Sequence, residues 1–120
     1  MNWLFLGALG GALAVIAGAF GAHALAARLE PRELQLWETA ARYLMYGSLA
    51  LVAVGLGRLH GLLRGIDAAG WCLLLGSAVF SGTVFGLALG GPRLLGAVTP
   101  IGGTLMIVGF LLFAWAALKP

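Results

Sequence analysis

The sequence predicts an all-α integral membrane protein, an up-down-up-down four-transmembrane-helix bundle with glycine-rich helix crossings. Three observations lead there. Of 120 residues, 62% are hydrophobic and only 9% are charged, against roughly 25% charged in a soluble domain. Mean hydropathy is +1.04. The charges fall between uncharged stretches, three of which exceed the ~20 helical residues that a bilayer core requires. Twenty glycines follow no three-residue period, which excludes collagen, and the apolar content excludes a disordered chain. Residues 1–120 read as a single transmembrane domain.

The first helix, expected near residues 3–26, draws on the uncharged run from Trp3 to Ala27. Gly7, Gly11, Gly18 and Gly21, with Ala14, recur at steps of four and three, within about 80° of one another on the helix. Such small-residue grooves let membrane helices approach closely. Leu6, Leu9, Leu13, Ile16 and Phe20 cluster on another arc and read as lipid-facing. Ala22-His23-Ala24 has the form of a signal-cleavage site, but no basic residue precedes the apolar run and the run is too long. An uncleaved span is expected.

The second helix, expected near residues 32–57, is the informative one. Only fifteen uncharged residues separate Arg42 from Arg58, or about 22 Å of helix. That is too short to cross. The helix must start near Pro31, after Glu30, and carry Glu38 and Arg42 into the membrane margin. At 100° per residue, Gln35, Glu38, Thr39, Arg42 and Tyr46 share one polar stripe about 100° wide. Glu38 and Arg42 stand i, i+4 in the favourable order for an ion pair. That pair is expected to face the bundle interior, near His23 and Ser81.

The third helix is expected near residues 67–90, with Gly82, Gly86 and Gly90 at steps of four. Two glycine-grooved helices suggest that the first and third cross closely, or that one groove serves a neighbouring subunit. The fourth is expected near residues 100–118, with Pro100 in its first turn and Thr99 as its N-cap. Trp3, Trp37, Trp71 and Trp115 fall near span ends, as interfacial anchors do. Short connections make neighbouring helices antiparallel. Arg58, Arg64 and Lys119 then share one side, and Arg28, Arg32 and Arg93 the other. That balance does not decide the orientation by the positive-inside rule; both termini are expected inside.

Several function classes drop out. The net charge is +3, yet no basic run exceeds one residue, so nucleic-acid binding has no footprint. Cys72 is alone and forms no intrachain disulfide. His23 and Glu38 supply two metal ligands where three or more are needed, and His60 belongs to the opposite loop. No nucleophile elbow, metalloprotease helix or phosphate-cradling loop is present. His23, Glu38 and Ser81 could in principle serve as base, orienter and nucleophile, but no recognised motif carries them. An enzyme is therefore the third reading, and no catalytic residue, cofactor or metal is assigned.

Most of the polar chemistry gathers at one end of the bundle. His23 lies at the exit of the first helix, Glu38, Arg42 and Tyr46 at the entry of the second. Ser81 lies toward the exit of the third, and Thr99, Gly102 and Gly103 at the entry of the fourth. Four ordered motifs run through these positions: Gly18-Ala-Phe-Gly-Ala-His-Ala, Trp37-Glu-Thr-Ala-Ala-Arg-Tyr-Leu-Met-Tyr46, Phe80-Ser-Gly-Thr83 and Thr99-Pro-Ile-Gly-Gly103. In these the chain resembles the domain-of-unknown-function 423 family of small four-helix membrane proteins, related to transmembrane protein 256. The resemblance implies an integral membrane protein, in bacteria of the cytoplasmic membrane, and no assigned reaction. One position departs: where the family motif is expected to continue Tyr-His, the chain has Tyr46-Gly47.

Ionisable residues within a membrane are costly and point to function. His23, Glu38, Arg42, Tyr46, Ser81, Thr99, Gly102 and Gly103 are therefore candidate ligand-binding residues, for a lipid headgroup or a small polar solute. The alternative is a scaffold, with the polar cluster plugging one end and fixing helix register. Membrane lipid is the expected partner, and a homo-oligomer or a docked protein would use the glycine grooves.

Overall fold

Each helix starts or stops on a local signal. In the computed structural model, which describes residues 1–61 and 65–118, Asn2 accepts the Phe5 backbone N–H and opens α1 (Trp3–Phe20). A π-helical turn, Gly21–Leu25, continues it. Glu30 and Glu33 form a capping box around Pro31, so α2 runs Pro31–Leu59, starting where the charge argument required. After α3 (Ile66–Ala88), Gly90 adopts φ +86°. The Gly90 N–H reaches the Leu87 carbonyl and the Gly91 N–H that of Gly86, a Schellman termination that a left-handed glycine permits.

The fourth helix corrects the expectation. It begins at Leu94 and runs to Leu118, with Pro100 inside it. Thr99 is therefore no N-cap, and its hydroxyl donates back to the Leu95 carbonyl at 2.9 Å. Pro100 merely removes one internal donor, a loss that membrane helices tolerate. All four helices are long and apolar enough to cross a membrane. Arg64 and Lys119, two of the charges counted in the comparison of the two sides, lie outside the described residues.

The helices lie in chain order, α1 against α2, α2 against α3 and α3 against α4, leaving α1 and α4 on the outside. Their crossings are glycine-lined, though not in the expected pairing. A Cβ on Gly7 would sit 2.7 Å from the Ser48 carbonyl oxygen and from the Val52 nitrogen of α2. At Gly76 it would sit 2.6 Å from the Met106 nitrogen of α4, and Gly102 meets the Phe80 backbone from the other side. The grooves of α1 and α3 thus do not interlock with each other. Gly18 and Gly82 have nothing within 4 Å, and Gly11 has only the Met45 sulfur at 3.9 Å. Gly21 packs on Trp37, and Gly86 on Leu95.

Trp3 is the exception to the nearest-neighbour rule. Its buried indole lies against Gly70 of α3 and joins Ala50, Leu51, Val54, Ile66, Ala69 and Leu73 in the core. The core therefore occupies the half of the molecule nearer Trp3. The opposite half, where the polar residues gather, is held by Trp37 against Phe20 and Phe85.

Candidate functional site

Hydrogen bonds define one membrane level. Trp3 Nε1 donates to Asp67 Oδ1 at 2.7 Å, and Arg58 pairs with the same oxygen at 3.0 Å. Arg58 also donates to the Met1 carbonyl. Asp67 opens α3 and Arg58 closes α2, each at the helix end whose dipole favours its charge. Twenty residues along each helix from this level, about 30 Å at 1.5 Å per residue, lie His23, Glu38 and Leu87. The opposite margin is thereby set, and Arg42 sits one turn inside it.

At that margin the expected assembly does not form. His23, Glu38 and Arg42 are all exposed, and among the described residues the only ion pair is Arg58–Asp67. Arg42 Nη2 donates instead to Thr39 Oγ1 at 3.3 Å. The interior pair near His23 and Ser81 is thus overturned. The physical reason lies in α2 itself: Ala40, Ala41, Gly47 and Ser48 take its packed faces, and the bulky polar stripe is left outside. The guanidinium turns one turn back toward the margin, as a snorkelling arginine does.

The remaining candidates fall into separate places. Ser81 is buried, and its hydroxyl has no partner among the described residues. Thr99 Oγ1 lies 2.6 Å from Thr83 Oγ1, tying α4 to α3. Gly102 is buried in the α3–α4 crossing, inside a continuous helix, so its backbone N–H is not a free helix end. Tyr46 and Gly103 do come together. With Tyr43, Met106, Ile107 and Phe110 they line a groove of about 380 Å³ between α2 and α4. Tyr43 packs on Phe80 of α3 along that groove. A second hollow of about 350 Å³, lined by Ala50, Ala53, Phe110, Phe113 and Ala114, shares Phe110 with it and lies toward the Arg58 end.

Arg42 does not line this groove but lies one turn nearer the margin than Tyr46, which does. On α2 it falls within about 40° of Tyr46 and Ala53, two groove residues. The two hollows, which share Phe110, form an apolar trough along α2 and α4, with Arg42 next along α2 toward the margin. A smaller cleft of about 180 Å³, between α1 and α3, is floored by Leu44, Ser48 and Leu51 of α2. Among the described residues no three His, Cys, Asp or Glu side chains converge as a metal site would require.

Sequence reasoning missed the Trp3–Asp67–Arg58 cluster. Its signal was present: a tryptophan N–H near a span end needs a partner, and Asp67 is the acid at the start of the third span. The groove had no such signal, because its walls come from non-adjacent helices.

The chain shares its pattern with known membrane proteins. The DUF423 family, described as protein of unknown function, matches residues 17–103. A UPF0382 membrane protein of Staphylococcus epidermidis is 44% identical over 118 residues, covering 98% of this chain and 95% of that protein. One of Staphylococcus saprophyticus is 42% identical, covering 98% and 97%. The UPF0382 membrane protein YwdK of Bacillus subtilis is 37% identical over 119 residues, covering 98% and 96%. No solved structure matches.

Proposed function

Since the chain belongs to the DUF423 family of membrane proteins, we propose that it binds a membrane phospholipid from the side, its phosphate on Arg42 and an acyl chain in the α2–α4 groove. The observation that carries this reading is Arg42 itself: an exposed guanidinium one turn inside the margin, with no carboxylate partner among the described residues. One guanidinium N–H is used on Thr39, and a phosphate at the margin would take the remaining donors in charge-assisted hydrogen bonds. Tyr43 and Tyr46 wall the trough just below it. His23, Ser81, Thr99 and Gly102 have no part in this site. The protein resides in the bacterial cytoplasmic membrane with both termini inside, which puts Arg42 in the outer leaflet.

The test is lipid retention. Protein purified in a mild nonionic detergent is analysed by native mass spectrometry for co-purifying phospholipid. Arg42→Gln should lose it, while Arg93→Gln, a loop cation, should keep it. A charged hydrogen bond contributes about 1.5–3 kcal/mol, so the loss should be roughly 10- to 100-fold. Equal retention by the two variants would sink the reading.

A second reading, self-association, draws on Gly18 and Gly82, small positions with nothing within 4 Å. Gly18→Leu or Gly82→Leu should then convert an oligomer to a monomer in light scattering. A wild-type protein already monomeric in lipid nanodiscs would dismiss it.

A further inference from the structure

Arg42 shares its exposed stripe with an acid. Glu38 stands one turn nearer the water, within about 40° of Arg42 around α2. It is exposed and makes no hydrogen bond or ion pair among the described residues. The sequence order favours an intrahelical pair, yet Arg42 Nη2 donates to Thr39 instead and leaves its other N–H groups open. Helical side chains lean toward the helix N-terminus, and for α2 that is the outward direction. Both groups therefore reach toward the headgroup layer, the cation deeper and the anion farther out.

Phospholipids carry the same order in reverse sign. The phosphate sits next to the glycerol, and in an aminophospholipid a primary ammonium lies beyond it. The geometry points to a phosphatidylethanolamine-type aminophospholipid as the ligand, with its phosphate on Arg42 and its ammonium on Glu38. This rests on the phosphate reading above and adds the headgroup. A primary ammonium donates N–H bonds to a carboxylate, a charge-assisted contact. Phosphatidylglycerol offers no cation there, so Glu38 gains no partner from it. A quaternary choline has no N–H to donate. The occupant of the groove is thus a bilayer lipid whose two headgroup charges match the two side chains.

Delipidated full-length protein in nonionic detergent is titrated, by native mass spectrometry, with phosphatidylethanolamine, phosphatidylglycerol and phosphatidylcholine of identical acyl chains. Wild type should prefer phosphatidylethanolamine over the other two by about fivefold, the upper range for an exposed ion pair. Glu38→Gln should bring the three lipids to near equality, and Arg42→Gln should weaken all of them. Far-UV circular dichroism checks that both surface variants keep their helices. A wild type that prefers phosphatidylglycerol, or binds phosphatidylcholine equally well, overturns the headgroup assignment. So does a preference that Glu38→Gln leaves unchanged. In each case loss of all three lipids in Arg42→Gln leaves the phosphate reading standing. Undiminished binding by Arg42→Gln overturns that reading and this one with it.

Discussion

Trp37 shows how a single polar atom fixes a helix. Trp37 Nε1 donates to the Ala17 carbonyl at 2.7 Å, while Gly21, a position without Cβ, lets the indole lie on α1. Trp37→Phe keeps the ring contact with Phe85 and loses the donor. It should cost about 0.5–1.5 kcal/mol, the net contribution of a neutral hydrogen bond, in unfolding by sodium dodecyl sulfate. Asp67→Asn separates packing from charge at the other margin. The Arg58–Asp67 pair is about half exposed, with side chains 47% and 50% accessible, so removing the charge should cost under about 1 kcal/mol. A loss of several kcal/mol in Asp67→Asn would mean that the pair is shielded by lipid. Burial of polar atoms was the part of residue chemistry that pattern could not supply. Glu38 and Arg42 share a stripe in the sequence, but whether that stripe faces neighbours or lipid depends on which stripe is smoother. Ala40, Ala41, Gly47 and Ser48 offer the closer approach, so the charges turn outward.

Between helices, the glycines sort into those that meet backbone and those that meet nothing. Gly76 and Gly102 oppose each other where α3 crosses α4. Gly76→Ala should cost about 1–3 kcal/mol, because a methyl there presses on the Met106 backbone rather than on a movable side chain. Gly82→Ala, with open space around it, should cost nothing in the same assay. Equal effects in the two variants would show that the crossing relaxes freely. Periodicity found glycine grooves on α1 and α3 but not their partners, since a groove at steps of four records a close approach and not which helix makes it. The fourth helix shows a related blindness. Pro100 in a first turn and Pro100 in a membrane helix interior are equally acceptable locally, and the α3 contacts made by Thr99 and Gly102 select the longer helix.

For the molecule as a whole, labelling in a Cys72→Ala background tests the topology. Ala27→Cys and Arg93→Cys should react together with an impermeant maleimide on intact cells, and His60→Cys only after permeabilisation. The reverse pattern would invert the orientation, and simultaneous labelling of all three would break the four-span order. The number of spans, their near-antiparallel order and the start of α2 at Pro31 were legible from the chain alone. Hydrocarbon thickness and the cost of a buried charge act on each segment independently of its neighbours. What only the tertiary structure decided was the arrangement across segments: the file of helices with α1 and α4 outermost, the α2–α4 groove, and the outward stripe of Glu38 and Arg42. In lipid, apolar faces are not driven together by water. Which faces meet is therefore set by backbone-to-backbone fit between helices, and that fit is a property of pairs.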